Sequence, residues 1–361
     1  MKVAVIILNW NGKKLMEKFL PSLLKHTPCE TAEIIVADNC STDGSVKMLQ
    51  ERFPSVRVIV LDRNYGFAEG YNRAIEQVDS DYTVLLNSDV EVTPHWLDAP
   101  LDAMDRDTRI AGVQPKILSE RNRSFFEYAG ASGGWIDRYG YPFCRGRVLG
   151  VVEEDQGQYD TTADVFWASG ACLFVRTDVY KKEGGLDSRF FAHQEEIDLC
   201  WRLRSRGYRL LCTPRSVVYH VGGGTLHVES PHKTFLNFRN NLLMIYKNLP
   251  DQDLRRVMRW RFMLDYLAAI RFVLTGHPIA ARTIEQILRT ENICLQEELR
   301  IFDAAVHVAL RGKVYNHVEV ICSKQLVDQF AIAYVSAHEE AALLIDVVGD
   351  SAQITRIGEQ V

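Results

Sequence analysis

A chain of 361 residues with 47% hydrophobic content holds enough apolar material for one large domain or two of ordinary size, which excludes a disordered protein. Its formal net charge of -5 carries no polyelectrolyte signature, so no nucleic-acid partner is expected. Eight cysteines are scattered without a CxxC pair, which argues against a disulfide framework or a cysteine zinc site and for a reducing compartment.

The opening run MKVAVIILNW has one lysine and a short apolar stretch with no small-residue cleavage site, so it reads as a first β-strand rather than a secretory leader. Val3 to Leu8 is continuously apolar and β-branched, as a strand buried on both faces must be. Lys14 to His26 has helical spacing, with Leu15, Phe19, Leu20, Leu23 and Leu24 on one face. A strand at Glu33 to Ala37 then runs into Asp38, Asn39 and the turn-forming CSTDGS. Helix at Ser45 to Phe53, strand at Val56 to Leu61, helix at Phe67 to Val78 and strand at Tyr82 to Leu86 complete the alternation.

Strand and helix alternating at this spacing predict a mostly parallel α/β sheet covered on both sides. Ligands in such sheets collect beyond the carboxyl ends of the strands. Asn9, Asp38, Asp62 and Asp89 each follow one of these strands. Any one of them reads equally well as a helix cap or turn residue, whereas four together mark a site. Asp89, flanked by Asn87 and Ser88, suits a hard divalent cation that takes oxygen ligands and keeps positions open for phosphate. No GxGxxG follows the first strand and no GxxxxGK[ST] occurs, which disfavours dinucleotide and P-loop chemistry.

Residues 93–230 are less regular. Helices are expected at Trp96 to Met104 and Glu195 to Arg206, and extended segments at Gly112 to Ile117, Gly146 to Val152 and Tyr208 to Cys212. Turns or short strands should fill YAGASGGWIDRYGYPF, and the small residues of WASGACLFV permit close backbone approach. Tyr219 to His227 is too rich in glycine for a helix interior.

Past Ser230 the pattern becomes that of long helices. Between Arg239 and Arg289 there are nine Arg or Lys residues against four acids, and RRVMRWRFMLDYLAAIRFVLTG mixes arginines with Trp260, Phe262 and Phe272. That is the composition of an interfacial helix lying on an anionic membrane surface; the plainer reading is a packed helix with a wet basic face. No stretch reaches the ~18 apolar residues of a membrane span. Lys313 to Val361 shows short alternations such as AALLIDVV and no chemistry-bearing cluster.

Seven ordered blocks, VAVIILNWNG, VADNCSTDGS, DRNYGFAEGYNRA, LLNSDVEV, WASGACLFVRTDVY, GGLDSRFFAHQEEIDLCWRLRSRGY and VYHVGGGT, resemble the inverting nucleotide-sugar glycosyltransferases of family 2, in the rhamnosyltransferase-like branch. The resemblance covers residues 1–245 and implies a GT-A fold, a Rossmann-like mostly parallel sheet followed by a helical region. It implies that Asp38 reads the uracil or thymine edge, that Asn9, Asp62, Asn64, Asn72, Arg73 and Ser88 line the nucleotide site, and that Asp89 is the metal-coordinating end of a DxD motif whose first position is here Asn87. His220 matches a further metal or phosphate ligand near the diphosphate. Glu196 matches the catalytic base, with Glu in place of the usual Asp, while Glu195 and Asp198 would orient the helix or contact the acceptor; Trp167, read from the residues alone, is either core or the lining of a sugar pocket.

The division implied is 1–235 for the transferase domain (1–92 nucleotide half, 93–235 acceptor and base half), 236–312 for a membrane-associating helical region, and 313–361 for a small segment without assigned role. The implied reaction needs Mg2+ or Mn2+ and a dTDP- or UDP-sugar. Its acceptor would be a saccharide or polyprenyl-diphosphate-linked saccharide at the cytoplasmic membrane face, and a homo-oligomer is compatible with it. In-line inversion requires a base on one face of the sugar and neutralisation of the departing diphosphate on the other. Two rivals stand beside this reading. A nucleotidyltransferase would need a basic glycine loop after the first strand, where NWNGKKLMEKF has one glycine; a non-catalytic carbohydrate-binding protein would account for the altered base position.

Overall fold

The computed structural model describes residues 2–148, 151–222 and 231–274, so the expectations for residues 275–361 and for the glycine-rich loop beyond Gly222 lie outside the described residues. The chain falls into two compact units, Met1–Met244 and Ile245–Val361.

The first unit begins with β1 (Val3–Asn9), α1 (Lys13–His26), β2 (Ala32–Asp38), α2 (Ser45–Arg52), β3 (Arg57–Val60), α3 (Gly66–Glu76) and β4 (Tyr82–Leu86), in the alternation the sequence predicts. Then follow β5 (Val90–Val92), α4 (Asp98–Arg106) and β6 (Ile110–Ser119), and four short strands, β7 (Gly134–Ile136), β8 (Pro142–Cys144), β9 (Arg147–Val148) and β10 (Val151–Val152). β11 (Ala163–Asp164), β12 (Cys172–Arg176), α5 (Thr177–Lys182), a 3-10 turn at Ser188–Phe190, α6 (Glu195–Ser205) and β13 (Arg209–His220) come next. α7 (Pro231–Asn248) crosses into the second unit, where α8 (Asp251–Leu274) lies.

Nine strands make the main sheet, in the order β11-β13-β6-β12-β4-β1-β2-β3 with β5 on β13. β1, β2, β3, β4, β6 and β13 run one way, while β5, β11 and β12 oppose them. The sheet is therefore mostly parallel, with antiparallel β12 wedged at its centre. Alternation along β1 sends Val3, Val5 and Ile7 to the face where Met16, Leu20 and Leu23 of α1 are buried. On the opposite face Leu8 meets Gly70 of α3 so closely that a Cβ there would fall 2.8 Å from a Leu8 methyl. The small sheet β10-β9-β8-β7 stands apart from this core.

Three expectations shift. The fourth helix starts at Asp98 rather than Trp96, because His95 takes φ +62 and Trp96 is fully buried, its indole N–H directed at Thr27 Oγ1, 3.3 Å away. The last strand runs on from Cys212 to His220; Pro214, which lacks a ladder donor, sits inside a register shift between Thr213 and Val217 and so does not end the pairing. Gly146 to Val152 folds back as the antiparallel pair β9 and β10 instead of one extended segment.

Candidate active site

Asn9 and Asp38 are register partners at the ends of β1 and β2, and Ile7 pairs with Leu86 at the end of β4, so the side chains that follow these strands share one sheet edge. β13 ends there too, with His220 opposite Val90 and Ser119. The parallel order decides this convergence.

At the first corner the Asn9 carboxamide N–H donates to Asp38 Oδ1 at 2.8 Å, and Asn9 Oδ1 accepts Gly12 N at 3.1 Å. A Cβ on Gly12 would lie 2.4 Å from that oxygen, so the turn tolerates only glycine. Asp38 is buried, and its second oxygen accepts Ser41 N at 2.8 Å. Asn39 knits the neighbouring loop: its carboxamide donates to Asn64 Oδ1 and Gly66 O and accepts from Tyr65 N. Asp62 is exposed and accepts the Tyr65 hydroxyl at 2.8 Å, which draws its pKa below the usual value. Ser88 is buried, its hydroxyl near Gly12.

At the second corner Asp89 Oδ1 lies 3.1 Å from His220 Nε2, and Glu127 Oε2 lies 3.4 Å from Nδ1. All three side chains are buried. Burial by itself would lower the imidazole pKa, but hydrogen bonds to Asp89 and then Glu127 outweigh it and raise it to about 10. Glu127 is additionally tied by Ala129 N at 2.6 Å. A divalent cation fits Asp89 and His220: an octahedral ion with bonds of about 2.1 Å separates adjacent ligands by about 3 Å. Nε2 becomes a ligand only on losing its proton. Among the described residues no group of three His, Cys, Asp or Glu side chains forms a metal cage, so phosphate oxygens and water would complete the shell.

The third corner is α6. Glu195 is buried and Glu196 half-buried, and each has one buried carboxylate oxygen, Oε2, without a hydrogen-bond partner among the described residues. Burial raises both pKa values, that of Glu195 further because Glu196 is adjacent. Glu196 packs along Gly170, where a Cβ would sit 3.6 Å from the Glu196 Cβ. Gly170 in turn adjoins the strand-end loop, since Asn87 N donates to Ala171 O at 2.9 Å. Small residues before β12 thus bring the acid helix against Asn87 to Asp89. Asp198 differs from its neighbours: fully buried, it pairs with Arg202 at 2.9 Å, and Arg202 also holds the carbonyls of Glu183 and Gly185.

Three expected site residues are engaged in the scaffold. Asn72 donates to Leu186 O at 2.7 Å and accepts Tyr180 O–H and Leu186 N, pinning the approach to α6. Arg73 pairs with Glu69 and lies over the Tyr65 ring at 4.0 Å. The Trp167 indole presses on Gly134 and donates to Trp135 O at 2.9 Å. Glu127 was not expected at all; it lies in a turn-rich stretch with no periodicity to expose it.

A mostly parallel sheet with its polar residues gathered beyond the strand ends is the architecture of a GT-A glycosyltransferase. Residues 4–151 match the family described as Glycosyl transferase family 2. That segment carries the family's nucleotide-sugar glycosyltransferase sequence, and the chain is related to rhamnosyltransferase-like enzymes. It is 28% identical over 232 residues to an N-acetylglucosaminyl-diphospho-decaprenol L-rhamnosyltransferase of Mycobacterium tuberculosis, covering 60% of this chain and 75% of that protein. The fold is similar to GalNAc-T7 solved with UDP, GalNAc and Mn2+, with a TM-score of 0.54 and 16% identity over 68% of this chain; the match spans 47% of that longer chain. S. aureus TarS 1-349 in complex with UDP-GlcNAc aligns with a TM-score of 0.52 and 17% identity, covering 80% of this chain and 79% of that one.

Proposed function

We propose that the chain is an inverting transferase that moves L-rhamnose from dTDP-rhamnose to a saccharide carried on a polyprenyl diphosphate or glycolipid, in cell-surface polysaccharide assembly. The observation that carries this reading is the gathering of Asp38, Asp89, His220 and the start of α6 around one sheet edge. The rhamnosyl donor and the lipid-linked acceptor follow the chemistry of the mycobacterial relative.

In this mechanism Asp38 orients the pyrimidine, and Asp89 with His220 holds the diphosphate end. The cation, when bound, supplies charge neutralisation for the departing diphosphate. Glu196 takes the proton from the acceptor hydroxyl, and its raised pKa suits that role: desolvation favours the protonated form by more than the backbone N–H groups beside the carboxylate oppose it. Burial and the adjacent Glu196 raise the pKa of Glu195 beside it, which disfavours a second charge there.

The lipid acceptor implies a membrane surface. Among the described residues no helix is long and apolar enough to cross a membrane. On α8, however, Arg255, Arg256, Arg259, Trp260, Met263, Tyr266 and Leu267 are all exposed. At the helical 3.6 residues per turn they fall within an arc of about 140°. Arginines and aromatic rings on one exposed face suit the headgroup boundary of an anionic bilayer.

Transfer is measured with dTDP-rhamnose, UDP-sugars and GDP-sugars, Mn2+ or Mg2+, and a lipid extract. Glu196→Gln should abolish turnover while retaining dTDP binding; wild-type turnover in that variant rejects the base assignment, and preference for a UDP-sugar rejects the rhamnosyl donor. Binding to vesicles containing phosphatidylglycerol should weaken when Arg255, Arg256 and Arg259 become Gln, and indifference to that change rejects membrane docking by α8.

A further inference from the structure

Glu195 and Glu196 are delivered by a turn whose backbone does not suit its residues. Phe191 has φ 64 and ψ −58, and Ala192 N donates to Phe190 O at 2.7 Å. That is the γ-turn form that is rare and strained. His193 and Gln194 follow with φ 71 and 73, so three of four consecutive residues, none of them glycine, occupy the region that a Cβ disfavours. Such a conformation persists only where its surroundings over-determine it, and it gathers at functional sites.

Donors grip this turn from two sides. Phe67 N and Ala68 N, in the first turn of α3, lie 2.6 and 3.2 Å from Phe191 O. From α7, Asn240 Nδ2 stands 3.0, 2.8 and 2.7 Å from the carbonyl oxygens of Phe190, Ala192 and His193. Arg239 orients that carboxamide by donating to Asn240 Oδ1 at 2.8 Å, and it also donates to the carbonyls of Arg189 and Phe190. Asn240 is completely buried in a helix where an apolar side chain would otherwise stand. Its donors are spent on the turn, which is how a buried amide avoids its desolvation penalty.

We infer that Asn240, oriented by Arg239, is a positioning residue for the carboxylate pair: its carboxamide holds the left-handed Phe191 to Gln194 turn in the conformation that sets the start of α6 against the strand-end loop. The inference rests on the reading of α6 as the base-bearing helix, though not on which of its two glutamates acts. Release of the clamp lets the turn relax toward negative φ and re-aims the first residues of α6. A reacting group displaced by about 1 Å costs on the order of 10²-fold in rate. The nucleotide corner, built on β1, β2 and β4, is untouched by Asn240.

The test uses the full chain with Asn240→Asp, which keeps the size and the acceptor for Arg239 but turns an oxygen toward three carbonyls, and with Asn240→Ala. Expected are a fall in kcat on the order of 10²-fold, unchanged affinity for dTDP, and a displaced acidic limb of the kcat–pH profile. His193→Gly, which holds φ 71 without strain, should restore part of the rate in the Asn240→Ala background. A wild-type kcat in either folded variant overturns the proposal, as does a loss of dTDP affinity equal to the loss of kcat. If neither variant folds, Arg239→Ala must show the same selective kcat loss in smaller measure; full activity there overturns it. Wild-type turnover in Glu196→Gln combined with a slow Asn240→Asp refutes Glu196 as base and leaves the clamp acting on Glu195.

Discussion

Carboxylates at the strand ends and carboxylates at the start of α6 are all withdrawn from solvent, Glu196 less than the rest, but kept differently. Asp38 is met by Asn9 and Ser41, and Asp89 by His220. Glu195 and Glu196 each leave an oxygen without a donor among the described residues, although Asp198 on the same helix has Arg202. Donors lock the direction in which carboxylate oxygens point; where donors are missing, burial sets the proton affinity instead. The first arrangement suits holding a ligand, and the second suits taking a proton at neutral pH.

The contrast breaks most visibly at Glu196. Its replacement by Gln should lower kcat on the order of 10²–10⁴-fold with dTDP affinity intact, read by steady-state kinetics beside calorimetry. Because the base acts ionised and its pKa lies above the ordinary glutamate value of 4.5, wild-type kcat should rise with pH along a limb displaced upward from 4.5. Next in size, Asp198→Ala leaves the half-buried Arg202 guanidinium with its two carbonyl partners alone and should cost about 2 kcal/mol in urea unfolding; a negligible change would show that the pair contributes no stability.

Glu195→Gln should act in the opposite direction. The folded-state pKa of Glu195 is raised, so above pH 4.5 the folded chain binds more protons than the unfolded one and stability falls as pH rises. Replacing the carboxyl by a carboxamide should therefore stabilise the protein near neutrality, with the gain vanishing below pH 4.5. No gain at pH 8 would mean that the carboxylate is solvated. The smallest effect belongs to the partly exposed pair of Glu69 and Arg73 on α3, where Glu69→Ala should cost about 0.3 kcal/mol by the same urea assay.

The alternating strands and helices of residues 3–86 were legible because each buried strand is a continuous apolar run and each helix carries one apolar face. The same regularity exposed Asn9, Asp38 and Asp89, since a polar residue ending such a run has few places to be. Beyond residue 93 the signal thins. β13 was read short at Cys212 because Pro214 signals a break, and only pairing with β6 carries the strand on to His220. Asn72, expected beside the nucleotide, spends its carboxamide on Tyr180 and Leu186, residues more than a hundred positions away. Arg239, Asn240 and Asn241 did leave a trace, three polar residues in succession just before the apolar run LLMIY, but nothing local says what they hold.

Local pattern determined the mostly parallel sheet and the edge at which its polar residues gather, because burial of a strand or helix face is written in the period of its own residues. Local i,i+4 pairs such as Asp198 with Arg202 follow from helix spacing, whereas the partners of the other site residues were decided by tertiary structure. Glu127 reaches His220 across ninety-odd residues of chain, and Asn240 grips a turn nearly fifty residues before it. A hydrogen bond depends on where two groups meet in space, and sequence separation does not record that.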